Sequence, residues 1–159
     1  MKFVCALYVV EDIDKSRVFY EKMLDQKVLY DFGENVTFEG DFSIHKASHF
    51  ADMVSVQSSN TLPKSNDAEL CFETEDLVAF IDKLDKSEYE IEYLHDLREH
   101  PWGQRVIRFY DFDKHIVEVG ESMDTVIKRY FDEGKTLEEV AMKTQYPVSY
   151  VEQITKNRE

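Results

Sequence analysis

A short loop holds the densest group of chemically able side chains in the 159-residue sequence: His100, Trp102, Gln104 and Arg105, with Gly103 among them. Trp102 offers a ring face for stacking, and Arg105 a planar cation able to fork onto a carboxylate or phosphate, so the stretch suits the rim of a binding pocket. The competing assignment packs Trp102 over a neighbouring hairpin and pairs Arg105 with one of many nearby acids, and residue types alone leave both open. His49, His95 and His115 have no spaced partner and read as surface or satisfied core residues. The two cysteines, Cys5 and Cys71, lie in strand-like runs rather than in a disulfide or zinc spacing, and reduced thiols are expected. There is no Ser/His/Asp arrangement, phosphate-cradling glycine loop or paired CxxC, so hydrolase, nucleotide and zinc-finger readings lack support.

The elements that must position these groups can be traced from periodicity. Residues 3–10 are β-branched and apolar on both faces, which predicts a buried central strand. Asp12 stands where a helix over 13–24 would be capped, with Phe19, Tyr20, Met23 and Leu24 as its inward stripe. Strands are expected at 27–32, 35–39 and 41–46, with Gly33 and Gly40 turning the chain between them. A polar, turn-rich stretch over 48–67 reads as a linker, with a short strand at 53–57. The order then recurs: a strand at 69–74, Asp76 before a helix with Leu77, Phe80, Ile81 and Leu84 at helical spacing, and strands at 91–95, 106–110 and 115–119. Each half is too small to close its own core, so the expected class is α+β, with two βαβββ modules sharing one cup-shaped sheet and one cavity.

From Ser122 the pattern is helical. Val126, Ile127, Tyr130 and Phe131 form one stripe, and Thr136 with Glu139 and Ser149 with Glu152 fit the capping-box spacing. The expected organisation is a paired-module domain over 1–121 and a helical packing or dimerisation tail over 122–159.

With 33 acids against 19 Lys and Arg the formal net charge is −14, which repels phosphate backbones and anionic membrane surfaces. Between 122 and 159 there are 6 Lys and Arg against 7 Asp and Glu, so although two of the tail segments resemble a helix-turn-helix, they lack the cations that a DNA reader needs. The N-terminal apolar run is too short for a membrane span and has no small-residue cleavage site, and a cytoplasmic protein is expected.

Two segments resemble a known superfamily, the vicinal oxygen chelate group of glyoxalase I, bleomycin-resistance proteins and extradiol dioxygenases. One runs from Val10 to Ser16 and on through Phe19 to Leu24; the other joins Pro101–Arg105 to Phe109–Glu118. The resemblance covers about 1–121 and implies paired βαβββ modules, a small-molecule ligand held in the cup between modules, and in most members a homodimer. Metal-dependent members draw ligands from the first and last strands of each module, which places the corresponding positions here at Cys5, Glu69, His45 and Glu118. Only Glu118 keeps the usual residue type. Alternation along a strand puts Glu69 on one face with Cys71, Ser43 with His45, and Ile116 with Glu118, so the four positions could converge.

A thiolate, an imidazole and two carboxylates could hold a divalent metal. The alternative is a ligand set that has lost its metal and lines an apolar pocket. Glu118 and Glu69 are the candidate acid–base pair, and Trp102, Gln104, Arg105 and Cys71 the candidate substrate contacts. The leading expectation is a small-molecule-binding protein of the glyoxalase/bleomycin-resistance type. A metal-dependent glyoxalase-like lyase or isomerase, and a ligand-responsive regulator acting through the tail, stand as alternatives.

Overall fold

A computed structural model describes residues 1–55 and 64–156. The first module runs β1 (Ala6–Val10), α1 (Ile13–Lys22), β2 (Val28–Asp31), β3 (Asn35–Phe38), β4 (Phe42–Lys46) and α2 (Ala47–Val54). The second runs β5 (Glu69–Thr74), α3 (Leu77–Asp85), β6 (Glu92–Glu99), β7 (Arg105–Tyr110) and β8 (Ile116–Glu121), followed by α4 (Met123–Asp132), α5 (Leu137–Thr144) and α6 (Val148–Lys156). Each module gives one four-stranded sheet of equivalent order, β1-β4-β3-β2 and β5-β8-β7-β6. In the first, β1 runs parallel to β4, and β2, β3 and β4 form an antiparallel meander. The fold is α+β, built from two βαβββ modules with a C-terminal run of helices.

Both crossover helices start where an aspartate can satisfy a free backbone amide. Asp12 accepts from Lys15 N at 3.0 Å and Asp76 from Ala79 N at 2.9 Å, each cap worth about 1 kcal/mol. The chain forms two compact units, residues 1–70 with 110–116 and residues 71–109 with 117–159, the boundary falling inside β5. In the first, Phe19 and Tyr20 of α1 are buried with Val36, Phe38, Phe42 and Ile44, and Tyr20 donates to the buried carboxylate of Asp111 at 2.8 Å. In the second, Leu77, Phe80 and Leu84 of α3 are buried along with Val106, Phe109 and Val117, and Phe80 faces Phe109 with ring centres 6.4 Å apart.

The tail closes on itself. Ile127, Val140, Ala141, Val151 and Ile154 make one buried cluster from α4, α5 and α6, and Thr136 and Glu139 form the expected reciprocal cap.

Three sequence expectations differ from the structure. The first strand begins at Ala6 rather than residue 3 and stands at the end of its sheet order, with Phe3 and Val4 exposed. Apolarity on both faces signalled a central strand, but it does not specify how many neighbours the strand has. The expected linker opens with helix α2, so Met53 and Val54 are helical instead of extended, while Val56 and Gln57 lie outside the described residues. Ala47, Phe50, Ala51 and Val54 recur at helical spacing, and that outweighs the polar residues further on. Ser149 lies within α6 rather than before it, so it does not cap that helix; the first turn closes on Pro147 O, which accepts from Tyr150 N and Val151 N.

Candidate functional site

The site follows from parity along β7 and β8. Ile107 and Phe109 of β7 are buried, and Phe109 meets Phe80, so alternate residues Gln104, Val106 and Arg108 turn to the other face. On β8 that second face carries Glu118 and Gly120: a Cβ on Gly120 would lie 2.9 Å from the Gln104 amide and 3.1 Å from Val106. The missing side chain at Gly120 makes room for Gln104.

Across this face, in the strand order β5-β8-β7-β6, runs a row of polar groups. Glu69 and Cys71 of β5 and Glu118 of β8 bring one donor atom each to within 4.8 Å of one another. Glu118 is ion-paired with Arg108 of β7, the two side chains only 13% and 21% exposed. The other arm of Arg108 lies 3.3 Å from His95 Nε2 on β6 and 3.4 Å from His100 Nε2 in the next loop. Because His95 Nδ1 lies 2.7 Å from the Asp96 carbonyl, that nitrogen carries the proton and Nε2 is left to accept from the guanidinium. Trp102 stacks on His100 at 4.3 Å and donates its indole N–H to Gln104 at 3.1 Å, and Gln104 donates to the Glu121 carbonyl.

Arg105 belongs to the opposite face. It donates to Glu121 through its backbone N–H and through Nε, at 3.1 and 2.8 Å, and a second guanidinium nitrogen closes on the same carboxylate. Burial would raise the pKa of Glu121, but the hydrogen bonds from Arg105 and the charges of Arg129 and Arg105 bring it below the usual carboxylate value. The arginine that reaches the Glu118 face is therefore Arg108, three residues on. Arg108, His95 and His100 were missed as a set, and their available signal was the parity of β7 counted from Gln104.

Cys5 and His45 belong to the first unit, each with partners of its own. The Cys5 thiol lies 3.6 Å from the Ser43 hydroxyl. His45 is buried, its Nδ1 3.1 Å from the Asn35 amide and its Nε2 2.7 Å from His49 Nδ1. Asn35 can only donate through that amide, so His45 accepts there and donates to His49, and burial followed by the neighbouring ring lowers its pKa. Both nitrogens are engaged, and ligation through either would break a hydrogen bond in a buried position.

The metal implied by the resemblance can be tested on this donor set. Glu69, Cys71 and Glu118 could reach one small ion, but Arg108 already neutralises Glu118. A guanidinium paired with Glu118 repels a divalent ion drawn to the same carboxylate and so opposes its binding. With Arg108 beside Glu118, the Glu69–Cys71–Glu118 group does not fit a resident divalent metal.

Residues 3–124 match the model of the glyoxalase-like domain, and the chain belongs to that family. Among solved structures it is similar to a protein of unknown function from Agrobacterium tumefaciens str. C58, with 37% identity, TM-score 0.66, and 77% of this chain and 94% of that one covered. Two more distant structures share the fold. A glyoxalase/bleomycin resistance protein/dioxygenase from Nocardioides has 17% identity and TM-score 0.60, covering 76% of this chain and 83% of that one. A lactoylglutathione lyase from Agrobacterium tumefaciens has 18% identity and TM-score 0.56, covering 76% and 93%. No curated protein matches. No helix among the described residues is long and apolar enough to cross a membrane.

Proposed function

We propose that this chain is a small-molecule-binding protein of the glyoxalase/bleomycin-resistance type, with its ligand held against the face of the second sheet that carries Glu69, Cys71, Glu118 and Arg108. The Arg108–Glu118 pair carries this reading. A largely buried ion pair contributes little net stability, because desolvating both charges offsets their attraction, and apolar residues would serve a purely structural sheet at least as well. A row of donors and acceptors across four strands, with an indole at its end, instead suits recognition of a compact polar ligand. Cys71 and Glu69 are both exposed on this face.

A metal-dependent lyase or isomerase draws support from the closeness of Glu69, Cys71 and Glu118, and Arg108 stands against it. The regulator reading needs an excess of cations, and the tail carries 6 Lys and Arg against 7 Asp and Glu. We also propose a homodimer as the working form: β2 ends its sheet order with Leu29 and Tyr30 exposed, and Tyr30 stacks on exposed Phe32 just beyond the strand, a surface suited to a second copy.

Native mass spectrometry of the purified protein tests the binding reading. A retained small molecule that is lost from Glu118→Gln supports it. Turnover of a glutathione hemithioacetal that requires added metal would replace it with the lyase.

A further inference from the structure

We infer that Arg108 is an internal counter-cation that occupies the electrostatic place of a metal, and that its charge keeps an otherwise competent Glu69–Cys71–Glu118 site from binding one. The inference rests on the reading of this face as the ligand face and adds a specificity determinant to it.

The donor atoms are in place. Two carboxylates and a thiol on adjacent strands lie within 4.8 Å of one another, close enough to share one ion. Thiolate with carboxylate suits zinc or cobalt better than magnesium or calcium, because the sulfur is soft. Arg108 supplies the opposing charge at Glu118 and is not loosely placed. One arm bonds Glu118 and the other lies against His95 and His100. His100 is itself fixed by the turn in which its N–H donates to Gln104 O and its carbonyl accepts from Gly103 N, both at 2.8 Å, and by the stacked Trp102 ring.

The guanidinium is permanently charged at any working pH, so this block cannot be lifted by titration. Two consequences follow for recognition. The ligand meets a face whose charge is already partly balanced, and removing Arg108 is expected to open that face to a metal.

The test is Co²⁺ and Zn²⁺ binding to the full chain by equilibrium dialysis, with thiolate-to-cobalt absorption as the spectroscopic readout. We expect wild type and Arg108→Lys to bind neither ion stoichiometrically at micromolar concentration. Arg108→Gln and Arg108→Met should bind Co²⁺ at least tenfold more tightly than wild type and show the thiolate band, and adding Cys71→Ser should abolish that band. The inference is overturned if wild type binds as tightly as the neutral variants. It is also overturned if either neutral variant keeps its circular dichroism spectrum yet gains no metal. If neither neutral variant folds, Arg108→Ala takes their place under the same criteria, and stoichiometric metal in wild type overturns the inference in any case. Failure here leaves small-molecule retention in wild type untouched, whereas failure of the binding reading shows as no retained ligand whatever the metal result.

Discussion

Arg129 of α4 reaches back to Glu121 at the end of β8, its Nη2 lying 3.1 Å from Oε2, while Arg105 holds the other oxygen of the same carboxylate. The same Arg129 nitrogen donates to Gly103 O at 2.6 Å, and Tyr130 donates to Glu99 at 2.9 Å. The first tail helix thus fixes the loop that carries His100 and Trp102. Replacing Arg129 with Ala leaves a buried carboxylate with one partner fewer. We expect a loss of about 3 kcal/mol at neutral pH, the lower end of the range for breaking a buried pair, because Arg105 remains. Glu121 has a folded pKa below its ordinary value of 4.5, so its ionised form stabilises the fold above that value, and the contribution is lost as pH falls through the lower folded pKa. Urea denaturation at pH 7 and below about pH 4 should show the difference between wild type and Arg129→Ala shrinking in acid.

Gly103 has φ +91°, and a Cβ built on it would lie 2.3 Å from the Tyr130 ring. Gly103→Ala therefore meets two penalties, a left-handed backbone and a collision with α4. We expect a loss of at least about 1 kcal/mol from the backbone alone, with more from the ring. Combining it with Tyr130→Ala should recover part of the loss, and a thermal double-mutant cycle that is purely additive would argue against the contact.

His115 lies 2.9 Å from Asp111, the carboxylate that also accepts from Tyr20. Burial alone would lower the His115 pKa, but the hydrogen bond and the charge of Asp111 outweigh it and the net shift is upward. A raised pKa stabilises the fold below the unfolded value of about 6.5, and that stabilisation fades as pH rises through the folded value. Stability measured from pH 5.5 to 8.5 should therefore include a declining component that is absent from His115→Phe.

Ile127 is fully buried in the cluster joining α4, α5 and α6. Ile127→Ala should cost about 2 to 5 kcal/mol by calorimetry if the tail unfolds together with the rest of its unit. A separate early transition would instead mark the tail as an independently melting element.

The repeat was legible because its signals are local. An aspartate before each apolar-periodic run, followed by three short strands, gives the same element order twice, and β5 begins and ends at the expected residues. Non-local features were not legible. Sequence apolarity could not place β1 at the end of its sheet. Alternation put Glu69 with Cys71 correctly, but it could not reveal that Glu118 would be met by an arginine from the neighbouring strand, because pairing register is set by the turn between β7 and β8. Arg105 and Arg108 are chemically alike, and only the parity of β7 decides which one reaches the face. Starting that strand at Val106 leaves Arg105 in the preceding loop as a rim residue, whereas it is the first residue of β7.

Trp102 is the chain's single tryptophan, and it stacks on His100, itself 3.4 Å from Arg108. Its emission therefore reports on the proposed ligand face without a label. The most direct test is titration of wild type, Glu118→Gln and Glu69→Gln with a panel of small polar organic molecules, including whatever the purified protein retains, while following Trp102 emission. We expect at least one saturable response in wild type, weakened tenfold or more in the Glu118→Gln variant. Equal affinity in all three proteins, or no saturable response from any molecule in the panel, would contradict a ligand site on this face.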